Sequence, residues 1–176
     1  VVIETAPASK IERMRALGAK LVPVSYEAAW AALDARAFPG IDATFIHPFD
    51  DPKVIAGQGT IALEMLAARP DLDDLVVPIG GGGLISGMGT AAKALKPSIR
   101  IVGVEAGLYP SMYNLVKHAS LPIGGDTLAE GIAVKEPGAL TRSIIARVVD
   151  DIMLVSEAEI ERAVALLIAI EKTVVE

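Results

Sequence analysis

The sequence of 176 residues contains no cysteine. Within the chain, this excludes a disulfide framework, a cysteine-ligated zinc site, an iron–sulfur cluster and a thiol nucleophile. There is no basic run, and the net charge of −6 argues against a nucleic-acid-binding surface. No apolar run approaches the ~18 residues of a membrane-spanning helix. The first residues lack the basic segment and cleavage site of a signal peptide, so we expect a cytoplasmic chain that acts on a small molecule.

The sequence is rich in apolar residues. Hydrophobic residues make up 52% of it and the mean hydropathy is +0.50, which is typical of a globular protein with a substantial core. The length predicts one domain, with room for part of a second. The chain does not begin with methionine, and a helical pattern that starts at Glu157 is still running at the last residue. We therefore expect an internal piece of a longer chain.

Short apolar runs alternate with helical patterns along the whole sequence. The predicted strands are residues 1–3, 21–24, 43–46, 75–79, 99–104 and 152–155. The predicted helices are residues 8–17, 26–37, 53–69, 84–95, 111–117, 139–147 and a last helix from 157 onward. Strands that are apolar on both faces belong in a parallel sheet covered by helices. The pattern predicts an α/β fold, a three-layer, mostly parallel, twisted sheet with helices on both faces, with a boundary near residues 47–53.

Four consecutive glycines follow the predicted strand 75–79 and precede the predicted helix 84–95. These are Gly80, Gly81, Gly82 and Gly83. Glycine permits a positive φ and lets a ligand approach the main chain, so that successive N–H groups converge on an anion. The N-terminus of the following helix adds a partial positive charge. The loop therefore predicts a phosphate site.

A second interpretation is a dinucleotide site of the Rossmann type. Gly87, Gly89 and Ala92 match the pattern G-x-G-x-x-A, and Glu105 ends the next predicted strand, where an acid could bind a ribose. However, the triplet does not follow its strand directly, and Gly87 and Gly89 fall inside the predicted helix. There we expect them to allow close packing against the sheet. An NAD(P)-binding oxidoreductase module stays open as the alternative, as does a non-enzymatic remnant of an enzyme fold.

Several segments together resemble one enzyme family. They are residues 4–10 (ETAPASK), 47–52 (HPFDDP), 54–60 (VIAGQGT), 77–87 (VPIGGGGLISG), 129–134 (AEGIAV), 149–151 (VDD) and 171–176 (EKTVVE). In this order they resemble the fold-type II pyridoxal-phosphate enzymes, in particular the threonine ammonia-lyase (threonine dehydratase) and serine racemase family. The resemblance implies a fold like that of the tryptophan synthase β subunit. It also implies that residues 1–47 are part of the small domain and residues 48–176 the core of the large, cofactor-binding domain.

The resemblance also implies a cofactor, pyridoxal 5′-phosphate, and residues that bind it. The implied cofactor-binding residues are Gly80, Gly81, Gly82, Gly83 and Leu84 at the phosphate, Gly131 beside the pyridine ring, and Glu176 near the ring. Glu105 matches a carboxylate that binds a divalent cation in serine racemase, but Ser111 stands near the place of the other acidic ligand. A lone carboxylate is a poor site for a hard cation, so we predict no metal site.

Two parts of the family's active site have no counterpart in this sequence. None of its lysines lies in a segment of the S-F-K-x-R-G type that carries the cofactor, and the S-x-G-N-H substrate loop is also missing. We therefore assign no catalytic residue and expect the chain alone to be inactive. The parent enzyme is expected to convert the amino acids L-threonine or L-serine to a 2-oxo acid and ammonia, and to form a homo-oligomer, either a dimer or a tetramer.

Overall fold

A computed structural model describes residues 1–175 of the chain, which divide into two compact units, Val1–His47 and the residues from Pro48 onward. The first unit contains two helices and two short strands. These are β1 (Val2–Ile3), α1 (Ala8–Ala16), β2 (Pro23–Val24) and α2 (Tyr26–Ala35). The strands pair in parallel, with Val2 opposite Pro23. Gly18 follows α1 with a φ of +82°, a conformation that favours glycine at a helix end.

Residues 43–46 form no strand, so this prediction is wrong. A short apolar run becomes a strand only where a neighbouring strand can pair with it, and no partner for this run is found among the described residues. Ile46 is 73% exposed, and the Phe45 ring lies edge-on to the imidazole of His47, with 6.4 Å between the ring centroids.

The second unit alternates helices and parallel strands. Its elements are α3 (Pro52–Ala68), β3 (Asp74–Pro78), α4 (Gly83–Leu95), β4 (Arg100–Ala106), α5 (Ser111–Lys117), α6 (Ala139–Val148), β5 (Asp151–Val155) and α7 (Glu157–Leu166). A short 3₁₀ turn, Glu130–Ile132, lies between α5 and α6. The strands pair in parallel in the order β3-β4-β5, with Val77 opposite Gly103 and Gly103 opposite Ile152. The predicted α/β class with parallel strands is therefore confirmed.

The core of the second unit lies between the sheet and helices α3 to α6. Leu75 and Val77 are buried along β3, whereas the intervening Val76 is exposed. The buried cluster comprises Ala62, Leu66, Leu75, Val77, Ile79, Ile85, Met88, Ala92, Ile99, Ile101, Met112, Ile145 and Ile152. These residues come from seven of the elements and the loops between them, so the core fixes α4 firmly against the sheet.

The last helix begins as predicted and ends earlier than predicted. Ser156 accepts a hydrogen bond from the Glu159 N–H, and the Glu159 side chain accepts one from the Ser156 N–H, which completes the predicted capping box. After α7 the chain continues as a π-helical segment, Leu167–Glu171. Lys172 then adopts a φ of +55°, which ends the helical path. No helix in the described part of the chain is long and apolar enough to cross a bilayer.

Candidate phosphate site at the glycine loop

The four glycines, residues 80–83, form the loop between the C-terminal end of β3 and the start of α4, and are called the glycine loop below. Gly81, Gly82 and Gly83 are buried. Gly82 is the N-cap residue of α4 and has a φ of +92°, a conformation that side-chain-bearing residues rarely adopt. The sheet therefore positions the loop directly in front of a helix N-terminus, as the sequence pattern predicts.

Neighbouring segments lie directly against the Cα atoms of the glycine loop. A Cβ on Gly81 would overlap the ring of Phe49, and one on Gly83 would lie 2.9 Å from the Phe49 carbonyl oxygen. A Cβ on Gly80 would lie 3.1 Å from the Cα of Ile132. The packing of the protein itself therefore requires glycine at positions 81 and 83, whereas at position 80 a side chain would make a tight contact with Ile132.

The backbone N–H groups of residues 80–85 donate to no acceptor among the residues that the structure describes. The next N–H along the chain, that of Ser86, donates to the Gly82 carbonyl oxygen at 3.1 Å. Four of the six groups belong to buried residues, and buried N–H groups without an acceptor are rare in proteins. They also lie at the positive end of the α4 dipole. An anion with several acceptor oxygens, such as a phosphate, fits this arrangement.

A chain of buried polar contacts holds the other side of the glycine loop. The Thr141 hydroxyl, which is fully buried, donates to the Gly81 carbonyl oxygen at 2.7 Å. The Thr141 N–H donates to the Asp50 carboxylate at 2.9 Å. The Ser86 hydroxyl reaches the Thr141 carbonyl oxygen at 3.4 Å. Sequence reasoning missed Asp50 and Thr141, because nothing in either local sequence indicates a contact across 91 positions.

The remaining predicted site residues have different surroundings. Leu84 is half-buried, and its N–H is one of those without an acceptor in the described part of the chain. Gly131 is exposed, in the turn whose next residue, Ile132, lies against Gly80. A Cβ on Gly131 would meet no described atom within 4 Å, so the described protein does not itself require glycine there. Glu176 lies outside the described residues.

Glu105 is buried, and its side chain forms hydrogen bonds within the protein. Its carboxylate is 1% exposed and accepts the N–H groups of Met112 and Tyr113, each at 2.8 Å, at the start of α5. Burial raises the pKa of Glu105 from 4.5 to about 7, although the two hydrogen bonds act in the opposite direction. The Ser111 hydroxyl donates to the Val134 carbonyl oxygen at 2.6 Å. No cluster of three or more potential metal-binding side chains is found in the described residues.

The dinucleotide interpretation is not supported. Gly87 lies inside α4, where a Cβ would overlap the Ile55 carbonyl oxygen, and a Cβ on Gly89 would lie 2.9 Å from Val148. Both glycines therefore allow close packing, as expected for helix-interior positions. The Glu105 carboxylate faces the N-terminus of α5, where its oxygens are already hydrogen-bonded and are not available to a ribose.

The fold is of the α/β class, with a glycine loop and an uncapped helix N-terminus at the end of a parallel strand. The sequence profile of the pyridoxal-phosphate dependent enzymes matches residues 1–176, and the chain belongs to this family. The family depends on pyridoxal phosphate, and this membership does not support the NAD(P)-binding alternative.

Individual relatives agree with the family assignment. The chain is 44% identical to an L-threonine ammonia-lyase of Thermotoga maritima over 176 residues, which is 97% of this chain and 43% of that protein. Among solved structures, the processed form of threonine deaminase isoform 2 from Solanum lycopersicum superposes with a TM-score of 0.82 at 31% identity, covering 99% of this chain and 52% of that one. Serine racemase from Dictyostelium discoideum gives 0.80 at 31% identity, covering 99% and 57%. The chain thus spans less than half the length of the Thermotoga maritima protein.

Proposed function

We propose that the glycine loop and the N–H of Leu84 bind the phosphate group of pyridoxal 5′-phosphate. In this proposal Gly131 lies beside the pyridine ring and Glu176 lies near it. The observation that carries the proposal is the run of N–H groups at residues 80–85 that donate to no described acceptor, at the start of α4. Membership in a family that uses this cofactor supplies the identity of the anion.

Each part of the site has a physical role in this proposal. The N–H groups and the α4 dipole compensate the charge of the phosphate without a cationic side chain. The Phe49 ring and Ile132 close the loop on the sides where they touch Gly81 and Gly80. Open space around Gly131 leaves room for a flat ring. The bound cofactor supplies an electron sink for negative charge that develops at the α-carbon of an amino acid.

We further propose that the whole protein is an ammonia-lyase that converts L-threonine or L-serine to a 2-oxo acid and ammonia. The names of the relatives, L-threonine ammonia-lyase and threonine deaminase, support this reaction class. In this proposal residues 1–47 belong to the small domain and residues 48–176 to the large domain, and the protein is a homo-oligomer. Because no lysine of this chain lies in a cofactor-binding segment of the family type, we propose that the 176 residues alone do not turn over the substrate.

Binding of pyridoxamine 5′-phosphate by the full chain tests the cofactor site. This compound has the ring and phosphate of the cofactor but no aldehyde, so it does not react with surface lysines. We expect calorimetry to detect binding of pyridoxamine 5′-phosphate and of inorganic phosphate, and no binding of pyridoxamine. Equal binding of pyridoxamine with and without its phosphate would contradict the proposal. Ammonia release from L-threonine by the chain with added cofactor would contradict the proposed inactivity.

A further inference from the structure

The peptide unit between Gly81 and Gly82 is held from one side. Its carbonyl oxygen accepts the Thr141 hydroxyl at 2.7 Å and faces the Gly138 N–H at 3.4 Å. In a planar trans peptide, the C=O and N–H bonds point in opposite directions. A carbonyl group fixed toward Thr141 therefore turns the Gly82 N–H away from Thr141.

Thr141 is itself well anchored. It is fully buried, and its N–H donates to the Asp50 carboxylate at 2.9 Å. Its side chain also lies against Gly82, where a Cβ would come within 2.9 Å of the Thr141 Cβ. The hydroxyl has a second acceptor within reach, the Gly138 carbonyl oxygen at 3.1 Å, and the Gly81 carbonyl oxygen is the nearer of the two at 2.7 Å.

The Gly81–Gly82 peptide needs such an anchor. Both flanking residues are glycine, so a rotation of this peptide meets fewer steric barriers than it would between larger residues. If the peptide rotated, the Gly82 N–H would leave the set of donors at the start of α4. Apart from the Thr141 hydroxyl, the Gly81 carbonyl group has only the longer contact with Gly138 among the described hydrogen bonds.

We propose that Thr141 is a positioning residue that orients the Gly81–Gly82 peptide so that the Gly82 N–H faces the bound phosphate. The inference rests on the proposed phosphate site. It adds Thr141, which is 60 positions from Gly81 in the sequence, as a residue that prepares the loop to bind phosphate. The hydroxyl, rather than the volume of the side chain, carries this role.

Three substitutions in the full chain separate the hydroxyl from the volume of the side chain. Thr141→Val keeps the shape and removes the donor, and we expect it to weaken binding of inorganic phosphate and of pyridoxamine 5′-phosphate about tenfold. Thr141→Ser keeps the donor and should restore the affinity to within about twofold of the wild type. Thr141→Ala removes the donor without steric demand and should behave like the valine variant.

Thr60→Val is a matched control. The Thr60 hydroxyl donates to the Gly57 carbonyl oxygen at 2.8 Å on the exposed side of α3, so this variant loses the same kind of hydrogen bond away from the loop. Its phosphate affinity should equal that of the wild type. In spectra without ligand, Thr141→Val should shift the amide resonance of Gly82, whereas those of Met112 and Tyr113 should stay in place.

The possible outcomes are distinguishable. If the wild type binds no phosphate, both this inference and the proposed function are overturned. If the wild type binds and the valine and alanine variants bind equally well, only the role of Thr141 is overturned. Equal weakening by valine, alanine and serine would also overturn it, because packing rather than the hydroxyl would then be responsible.

Discussion

Two helices of the second unit, α4 and α5, begin beside the C-terminal ends of neighbouring strands. Their N-termini differ in whether the first N–H groups have an acceptor. At the start of α5, the Glu105 carboxylate accepts the N–H groups of Met112 and Tyr113. At the start of α4, the corresponding groups have no acceptor in the described part of the chain. Both helices begin with N–H groups that have no acceptor within the helix itself, and both N-termini have the same positive partial charge. The difference is that the sequence supplies a side-chain acceptor, the carboxyl group of Glu105, to α5 and none to α4.

The other helices of this unit resemble α5. Asp51 accepts two N–H groups at the start of α3, Asp50 accepts the Thr141 N–H in the first turn of α6, and Ser156 caps α7. Within the described residues of this unit, α4 alone begins without a side-chain acceptor. The N-cap residue of α6 is also a glycine, Gly138, but Asp50 supplies an acceptor there from outside the helix. A side-chain cap would occupy the donors that a phosphate needs. The missing side-chain cap is therefore the feature that distinguishes α4 from the other helices of this unit and that makes it the candidate for phosphate binding.

Displacement of α4 should have the largest effect on the free energy of unfolding. Gly87→Ala places a methyl group onto the Ile55 carbonyl oxygen and within 2.7 Å of the Gly59 nitrogen, so α3 and α4 must separate. We expect a loss of about 3 kcal/mol in the free energy of unfolding, measured by urea denaturation. Gly57→Ala is the control, because a Cβ there meets no described atom within 4 Å, and it should stabilise the protein by about 0.5–1 kcal/mol. Equal effects of the two substitutions would contradict the packing described here.

The second largest effect on stability is expected at Glu105, whose carboxyl group accepts two N–H groups at the start of α5. Because burial raises the pKa of Glu105 from 4.5 to about 7, the folded protein favours the neutral acid. The resulting stabilisation is present below pH 4.5 and is lost as the pH rises through about 7. The stability of the wild type relative to Glu105→Gln should therefore fall by on the order of 2 kcal/mol between about pH 5 and pH 8. A difference that stays constant over this range would contradict the raised pKa, and phosphate affinity should be unchanged by the substitution.

A smaller effect is expected at the cap of α7. Ser156→Ala removes the hydroxyl that accepts the Glu159 N–H, and should cost about 1 kcal/mol of unfolding free energy. Ser143→Ala is the matched control, because its hydroxyl donates to the Leu140 carbonyl oxygen inside α6 and caps no N–H group. We expect the control to change stability by less. Neither variant should alter phosphate affinity. A change of phosphate affinity in Ser156→Ala would show that α7 influences the site.

The sequence allowed most elements of this fold to be predicted, because their signals are local. Periodicity, the Ser156–Glu159 capping box and the four glycines all lie within a few residues of the structure they specify. The failures have two different causes. Residues 43–46 have the composition of a strand but lack a neighbouring strand among the described residues. The last helix ends where Lys172 adopts a positive φ, which its residue type does not signal.

The candidate site divides in the same way. The glycine loop could be found from its position between a strand and a helix. The residues that hold the loop, Asp50 and Thr141, could not be found in this way, because they come into contact only in the folded chain. Glu105 could be located at a strand end, but its role as the acceptor at α5 depends on the turn that brings Met112 back to it.

The smallest effect on stability, and the most specific effect on binding, is expected at Gly131. A Cβ there meets no described atom within 4 Å, so Gly131→Ala should change the free energy of unfolding by less than about 0.5 kcal/mol. If the pyridine ring lies beside this residue, the added methyl group should weaken binding of pyridoxamine 5′-phosphate about tenfold, equivalent to ~1.4 kcal/mol. Inorganic phosphate has no ring, so its affinity should not change. Unchanged affinity for both ligands would remove Gly131 from the site, because glycine would then be required neither by the described protein nor by the ring.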